Sequence, residues 1–193
     1  MKFLISGGTG LIGKKLTQYL IDKGHSVNIL TRNKTLNSIN HQIKYYFWDP
    51  SNFKIDSNCI DNVDLIINLA GKNVFSFWSK KTKKEILESR LNSVTTLIKL
   101  LKENSNTVKH FISSSATGIY ANNIKEIQDE FSEIKNQSFL ANVVTKWEKK
   151  VDELSELNII VSKVRIGIVL SVDGGFLEKQ ILFNNLRFRP LIN

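Results

Sequence analysis

The amino-acid sequence predicts an α/β protein with a Rossmann-like, doubly wound parallel sheet and helices on both faces. Short runs of strand-forming residues alternate with amphipathic helical stretches, a pattern typical of a parallel sheet covered by helices. The run from Val63 to Leu69 is mostly apolar, as expected of a strand buried on both faces. A glycine cluster, Gly7 to Gly13, lies directly between the first predicted strand and the first predicted helix.

The predicted elements follow one another without an internal repeat or a low-complexity linker. Strands are predicted at roughly 2–6, 26–31, 43–48, 63–69, 108–114 and 159–165, and helices at roughly 10–23, 80–103 and 139–156. In the third helix, apolar residues recur at helical spacing and should face the sheet. These residues are Leu140, Val143, Val144, Trp147, Val151 and Leu154.

The composition is that of an ordinary globular protein, with 41% hydrophobic and 23% charged residues in a chain of 193. The apolar runs Leu65–Leu69 and Ile159–Val161 are too short to cross a bilayer, and the first residues lack the features of a secretory signal. The single cysteine, Cys59, cannot form an internal disulfide. We therefore expect no membrane association and a cytoplasmic location.

The formal net charge of +9 raises the question of nucleic-acid binding. Its main cluster, Lys80–Lys84, carries no interleaved aromatic residues and no accompanying zinc-ligand or nucleic-acid motif. We interpret the cluster as a solvated helix face and predict neither nucleic-acid binding nor a metal site. A basic surface would still attract an anionic ligand.

The glycine-rich segment Ser6–Gly13 has the pattern of a phosphate-binding loop. A pyrophosphate must approach backbone N–H groups closely, which glycines permit, and the helix N-terminus that follows offers unpaired N–H groups and a partial positive charge. A plain glycine turn without a ligand is the alternative, but the preceding strand and the amphipathic helix favour a dinucleotide site. The predicted cofactor contacts in this segment are Gly7, Thr9, Gly10, Leu11, Ile12 and Gly13.

The end of the second predicted strand indicates which dinucleotide is bound. Domains that prefer NAD usually place Asp or Glu there, where the carboxylate accepts hydrogen bonds from the ribose 2′-OH. This chain has Thr31-Arg32-Asn33 instead. Arg32 can pair with a 2′-phosphate, which favours NADP(H), although an exposed loop arginine without a ligand is the alternative.

Taken together, these residues resemble the extended branch of the short-chain dehydrogenase/reductase superfamily, and within it the epimerase-family proteins (NAD-dependent epimerase/dehydratase-like, often labelled nucleoside-diphosphate-sugar epimerases). The matching segments occur in the family's order and cover nearly the whole chain. They are Gly7–Gly13, Thr31–Asn33, Asn68–Gly71, Ser89-Arg90, Ser113–Gly118, Lys146–Glu148, Arg165–Leu170 and Asp173–Gly175.

The resemblance implies further cofactor contacts. Asn68–Gly71 would line the adenine-ribose side of the cofactor, and a small pair such as Ala70 and Gly71 at a strand end suits close approach of a ligand to backbone. We include Leu69 with this pair; an ordinary strand-end turn is the alternative. Asp49, at the end of the third predicted strand, can similarly contact the adenine, although Asp before Pro is also a common turn element.

The catalytic residues that the resemblance implies are only partly present. Superfamily enzymes use Ser or Thr together with a Tyr and a Lys four residues later, the lysine and the cofactor lowering the pKa of the phenol so that it can exchange a proton with substrate. Ser115 matches the serine. The Tyr/Lys pair is expected at the start of the third helix. The residues there cannot transfer a proton; they are Phe139, Leu140, Val143 and Val144.

Two other tyrosines bear on this gap. Tyr19 and Lys23 have the required spacing, but they lie in the first helix beyond the phosphate loop, and we interpret them as helix-surface residues. Tyr120, five residues beyond Ser115, can offer a substitute phenol, with Lys125 or Lys146 as conceivable cationic neighbours; a packing role is the alternative.

We therefore divide the chain into an NADP(H)-binding Rossmann domain, 1–170, and the start of a truncated substrate-binding region, 171–193, since the resemblance implies a longer C-terminal region. The apolar tail Phe176–Phe183 is predicted to be a helix whose exposure would cause self-association or be relieved in a homodimer. The leading hypothesis is an NADP(H)-binding, epimerase- or reductase-like oxidoreductase acting on an unidentified small molecule, with nucleotide sugars among the candidates. The alternative is a catalytically silent dinucleotide-binding module that acts as a sensor or binds a partner protein.

Overall fold

The computed structural model describes residues 1–36, 40–121, 125–175, 177–178 and 180–181. Over these ranges the chain forms one seven-stranded sheet with helices on both faces, which confirms the predicted fold class. The strands of the sheet are β1 (Lys2–Ser6), β2 (Ser26–Thr31), β3 (Ile43–Asp49), β4 (Lys54–Ile55), β5 (Leu65–Asn68), β6 (His110–Ala116) and β7 (Ile160–Ile166).

The order of the strands creates a switch point beside β1. Across the sheet they run β4-β3-β2-β1-β5-β6-β7, and every neighbouring pair is parallel except β3 with β4. The chain first builds outward from β1 to one side and then returns to build from β5 to the other. In open α/β sheets, ligands bind outside the carboxyl ends of the strands at such a point, here after Ser6 and Asn68.

The sheet is covered by helices α1 (Leu11–Asp22), α2 (Lys80–Glu103) and α3 (Phe139–Asp152). Ser79 and Ser138 cap α2 and α3, each accepting a hydrogen bond from the backbone N–H three residues on. The predicted end of α3 at residue 156 is four residues too late, because the chain tightens into a 3₁₀ turn at Glu153–Leu157.

Each face of the sheet has its own core. On one face, Leu20 of α1 packs with Ile5, Ile29 and Ile67. On the other face, α2 and α3 cover a larger cluster that includes Leu4, Ile66, Leu97, Phe111 and Trp147. Neighbouring residues of β5, Ile66 and Ile67, thus belong to opposite cores, as expected of a strand buried on both sides.

Two short strands were absent from the predicted set. The two residues of β4 pair with Trp48 and Asp49 at the sheet edge, and β8 (Leu170–Ser171) bridges to Gly174 and Gly175 in a tight turn. In the predicted apolar helix Phe176–Phe183, the described residues 177–178 and 180–181 are helical, and the other four lie outside the described residues. The homodimer contact that this helix would supply stays a prediction. Within the described ranges, no helix is long and apolar enough to cross a membrane.

Candidate functional site

The glycine loop between β1 and α1 has a backbone that side chains would obstruct. Gly7 has a φ of 72°, and a Cβ placed on it would lie 2.8 Å from the carbonyl carbon of Leu69. A Cβ on Gly13 would lie 2.2 Å from the carbonyl oxygen of Gly7. The loop closes through a hydrogen bond of 3.0 Å from Gly10 N–H to that same oxygen. These glycines therefore allow a tight turn, a close helix and an exposed run of backbone together.

The N-terminus of α1 follows this loop without a side-chain cap. Gly10 is the N-cap residue, no side chain accepts a hydrogen bond from the first turn, and no acidic residue lies in that turn. The first N–H groups of a helix have no partner within it and carry the positive end of the helix dipole. The cradle formed by Gly7, Gly13 and this helix end fits the pyrophosphate of a dinucleotide, which supplies the missing acceptors.

Arg32 lies just beyond β2, at the same edge of the sheet. Its side chain is exposed, and no carboxylate pairs with it among the described residues. The turn that carries it is held by Thr31 Oγ1, which accepts a hydrogen bond of 3.0 Å from the N–H of Asn33. The neighbouring Lys34 is engaged differently, with its ammonium 4.5 Å from the centroid of the Phe47 ring. Among the described residues Arg32 thus has no acidic partner, and it lies at the position that the sequence analysis predicts to select between NAD and NADP.

Asp49 ends β3 and caps the turn that follows it. Its carboxylate oxygens accept hydrogen bonds from the N–H of Ser51, at 3.1 Å, and from Nδ2 of Asn52, at 2.7 Å. The bond from Asn52 is the main cause of a lowered pKa of Asp49. This geometry is that of the turn element weighed as the alternative, and the adenine contact of Asp49 stays a prediction.

Leu69, Ala70 and Gly71 continue from β5 opposite the glycine loop. The N–H of Leu69 donates to the carbonyl of Ser6 at 3.0 Å, which binds the two strand ends together. Asn68 is fully buried, and its Oδ1 accepts hydrogen bonds from Ser6 Oγ at 2.6 Å and from Ser93 Oγ at 3.3 Å. The structure therefore places the two predicted cofactor segments side by side at the switch point.

Arg90 supports this second segment from α2. A Cβ on Gly71 would lie 3.2 Å from its guanidinium carbon, and Nη1 donates to the carbonyls of Lys72, at 3.1 Å, and Ile86, at 3.0 Å. The guanidinium also stacks on Trp147, 5.2 Å from the ring centroid. Burial away from water lowers the pKa of Arg90. Sequence reasoning matched Arg90 to the family but assigned it no contact.

Ser115 lies near the carboxyl end of β6 and is almost fully buried. Its Oγ donates a hydrogen bond to Oε1 of Glu148 on α3. Glu148 is in turn held by Arg165 of β7, whose Nε donates to Oε1 at 3.0 Å and whose Nη2 donates to Oε2 at 2.9 Å. Burial disfavours the charged carboxylate, but the hydrogen bonds from Arg165 and Ser115 outweigh it and lower the pKa of Glu148.

Tyr120 belongs to the same network. The remaining edge of the Arg165 guanidinium, Nη1, donates to the phenol oxygen at 2.8 Å. Ser115 and Tyr120, the two catalytic candidates from the sequence, are therefore joined through the bidentate ion pair of Glu148 and Arg165, which sequence reasoning did not identify. A signal was present, because Glu148 stands on the apolar stripe of α3 between Val144 and Val151, where a charged residue requires a buried partner.

The start of α3 holds no proton-transfer group, in agreement with the sequence. Val143 and Val144 are buried in the core, and Phe139 packs edge-on against Trp78. The spaced pair in α1 is a surface feature, since Tyr19 is 59% exposed and the Lys23 ammonium lies 5.7 Å from its ring centroid.

The turn after β8 crosses the start of α1. Gly174 and Gly175 lie against Leu11. A Cβ added to Gly174 would lie 3.4 Å from one methyl carbon of Leu11, and a Cβ added to Gly175 would lie 3.3 Å from the other. Asp173 pairs with Lys15 at 2.9 Å. Residues from the far end of the described chain thus contact the phosphate loop, which no sequence signal indicated.

Comparison with known proteins identifies the family of the chain. A family model described as the NAD dependent epimerase/dehydratase family matches residues 3–141. The epimerase family protein YfhF of Bacillus subtilis (strain 168) is 32% identical over 174 residues, which cover 90% of this chain and 57% of the relative. The family supports a nicotinamide dinucleotide as the cofactor.

Two solved structures are similar over nearly the whole chain. Human epimerase family protein SDR39U1 (isoform 2), crystallised with NADPH, has a TM-score of 0.77 at 27% identity, covering 96% of this chain and 60% of that one. A nucleoside-diphosphate sugar epimerase from Corynebacterium glutamicum has a TM-score of 0.77 at 31% identity, covering 96% of this chain and 38% of that one. The chain therefore spans less than two thirds of the length of each of these relatives.

Proposed function

The chain belongs to the NAD-dependent epimerase/dehydratase family, and from this premise we propose that it is an NADP(H)-binding oxidoreductase of the epimerase or reductase type. The observation that carries the proposal is the cradle at the switch point. There, Gly7 and Gly13 leave no room for side chains, and the first turn of α1 presents N–H groups without a cap. Such a cradle suits a pyrophosphate.

The preference for NADP(H) rests on Arg32. A cation that is exposed and unpaired costs little to bring against a phosphate, and its planar fork suits bidentate contact with a 2′-phosphate. The NADPH in the similar human structure supports the same choice. An acidic residue, which would repel a 2′-phosphate, is absent from Thr31–Asn33.

The proposed substrate is a small molecule with a hydroxyl or carbonyl group, and the name of the Corynebacterium relative supports a nucleotide sugar as one candidate. When bound, the dinucleotide supplies or accepts the hydride. Ser115 orients the reacting oxygen. Since its own proton is donated to Glu148, the lone pairs of Oγ are left to accept a hydrogen bond from a substrate hydroxyl.

The proposal is tested by titrating the protein with NADPH and NADH separately while following nicotinamide fluorescence. We expect saturable binding, tighter for NADPH, and loss of that preference in Arg32→Ala by about tenfold, equivalent to ~1.4 kcal/mol. Lys34→Ala is the matched control, because it removes a neighbouring cation already engaged with Phe47. Absence of binding to either nucleotide would overturn the cofactor assignment, and equal affinities in the wild type would overturn the preference for NADP(H).

A further inference from the structure

We propose that Arg165 stabilises the deprotonated phenol of Tyr120 and so takes the role of the lysine in the superfamily's Tyr-x-x-x-Lys pair. Glu148 is the residue that positions Arg165. The inference rests on the proposed function, since it gives that reaction a proton-transfer group. It also supplies a substitute for the Tyr/Lys pair that is missing from the start of α3, where the residues have no acidic or basic function.

The geometry joins the cation to the phenol directly. Arg165 Nη1 donates to the Tyr120 oxygen at 2.8 Å, and the guanidinium carbon lies 5.1 Å from the ring centroid. The other edge of the guanidinium is fixed by the two bonds to Glu148, of 3.0 and 2.9 Å. Arg165 therefore cannot turn away from Tyr120 without breaking a buried, bidentate ion pair.

The backbone around Tyr120 is also held in place. Its N–H donates to the carbonyl of Thr117 at 3.1 Å. The side chain of Asn136 donates to the carbonyls of Gly118, at 3.1 Å, and Tyr120, at 2.8 Å. The phenol is half-buried, so its ring is anchored while part of it stays open to a substrate. A catalytic group requires this kind of fixed position.

Arginine is suited to this role because it carries a permanent charge. Its hydrogen bonds to Glu148 raise the pKa of Arg165 further above its already high value, so that it stays protonated at every physiological pH. When the phenol loses its proton, negative charge develops on the oxygen that Nη1 already contacts, and a bond between two opposite charges replaces one between a cation and a neutral phenol. Arg165 stabilises this charge without giving up a proton of its own.

The proposed step balances as follows. In the direction of reduction, the carbonyl carbon receives a hydride from the reduced dinucleotide while the carbonyl oxygen takes the phenol proton of Tyr120. The C=O π bond breaks, a C–H and an O–H bond form, and the dinucleotide is left oxidised. The phenolate then recovers a proton from water. In the direction of oxidation, each transfer is reversed.

The test measures the reactivity of Tyr120 without any substrate or cofactor, so it is independent of the proposed function. Benzenesulfonyl fluoride reacts with phenolate oxygen, where an O–S bond forms, fluoride leaves and the phenol proton passes to solvent. The rate at Tyr120 is followed by peptide mass spectrometry relative to Tyr19. Tyr19 is a suitable internal reference because it is 59% exposed and the ammonium of Lys23 lies over its ring, 5.7 Å from the centroid.

Two variants should change this rate in opposite directions. Arg165→Met removes the charge and should slow labelling of Tyr120 by roughly tenfold, equivalent to ~1.4 kcal/mol. Glu148→Gln keeps a side-chain oxygen that can accept the hydrogen bond from Arg165 Nε and so hold the guanidinium in place. It removes the neutralising charge, leaves the charge of Arg165 uncompensated, and should raise the rate several-fold. Arg165→Lys keeps the cation and should restore most of the rate lost in Arg165→Met.

A purely structural ion pair predicts a different outcome. Loss of either partner would then loosen the site and change the accessibility of Tyr120 in the same direction. That result, or an unchanged rate in Arg165→Met, would overturn the proposal. If Arg165→Met fails to fold by circular dichroism, Glu148→Gln and Arg165→Lys still decide it, since a lower rate in Glu148→Gln contradicts the proposed charge effect.

Discussion

Gly7 and Leu69 approach so closely at the switch point of the sheet that a methyl group on Gly7 would lie 2.8 Å from the Leu69 carbonyl carbon and 2.9 Å from its oxygen. Backbone atoms cannot yield as a flexible side-chain end can. The contact joins the two predicted cofactor segments, one after β1 and one after β5. A substitution at Gly7 must therefore move the segment on either side of the proposed pyrophosphate site.

We expect Gly7→Ala to weaken NADPH binding at least about tenfold, measured by nicotinamide fluorescence. Gly24→Ala is a close control, because Gly24 also has a positive φ, 78° against 72°, but nothing lies within 4 Å of its added Cβ. Both variants should lose about 1–2 kcal/mol of stability from the left-handed conformation. Equal loss of NADPH affinity in the two would show that the loop contact does not form the site.

Arg90 offers a separate test of the segment after β5. Arg90→Met keeps an unbranched side chain on Trp147 but removes the guanidinium that lies against Gly71 and holds the Lys72 carbonyl. We expect NADPH affinity to fall several-fold, because the segment can relax away from the cofactor. The free energy of unfolding should change by less than about 1.5 kcal/mol, since the lost hydrogen bonds are offset by removal of a desolvated charge.

The control for Arg90 is another cation of α2. Lys99→Met also removes a charge that lies over an aromatic ring, 4.7 Å from the Phe53 centroid. Phe53 belongs to the turn beside β4 and is far from both cofactor segments in the sequence. We expect unchanged NADPH affinity in this variant. An equal loss in both would trace the effect to net charge instead of to the contact with Gly71.

We expect the thiol of Cys59 to be unreactive in the folded protein. It is fully buried, and burial is the main reason why its pKa is raised to about 12, so at pH 8 almost no thiolate is present to react. Ellman's reagent should detect one thiol per chain in guanidinium chloride and almost none without it. Because the thiol becomes accessible on unfolding, saturating NADPH should slow the residual native reaction. A fast native reaction would contradict the burial of Cys59 in the core.

The parts of the fold that depend on local pattern could be predicted from the sequence. Apolar runs such as Val63–Leu69 locate strands, and the serines before α2 and α3 locate their starts, because both signals lie within a few neighbouring residues. The two-residue strand β4 could not be found this way. Its pairing with Trp48 and Asp49 depends on a turn at Phe53, a non-glycine residue with a φ of 52°.

The candidate site likewise has a part that local sequence predicts and a part that it does not. Glycine spacing predicts the phosphate cradle because one segment of chain builds it. The network of Ser115, Glu148, Arg165 and Tyr120 is drawn from β6, α3, β7 and the loop after β6, and its contacts span up to 45 residues of sequence. Sequence reasoning named Lys125 and Lys146 as conceivable cationic neighbours of Tyr120, and that suggestion stays a prediction. It could not identify Arg165, which reaches Tyr120 because β6 and β7 are neighbours in the sheet.

The ion pair between Glu148 and Arg165 should give the protein a measurable acid sensitivity. The pKa of Glu148 is lowered in the folded state, so the unfolded chain, with an ordinary value of about 4.3, binds the extra proton first. The stabilisation is therefore complete above about pH 5 and is lost as the pH falls below 4 towards the folded-state value. Urea unfolding followed by tryptophan fluorescence, at several values between pH 7 and pH 3, measures this loss.

Glu148→Gln should unfold more easily than the wild type by about 3 kcal/mol at pH 7, the usual result of removing one partner of a buried pair. The gap should narrow below pH 4, because protonation of Glu148 in the wild type then breaks the same pair. Glu153→Gln is the matched control: its carboxylate lies 2.7 Å from Lys150, but the side chain is 46% exposed. Such a surface pair should change stability by less than about 1 kcal/mol. A constant gap between wild type and Glu148→Gln down to pH 3 would mean that the charge of Glu148 does not stabilise its pair with Arg165.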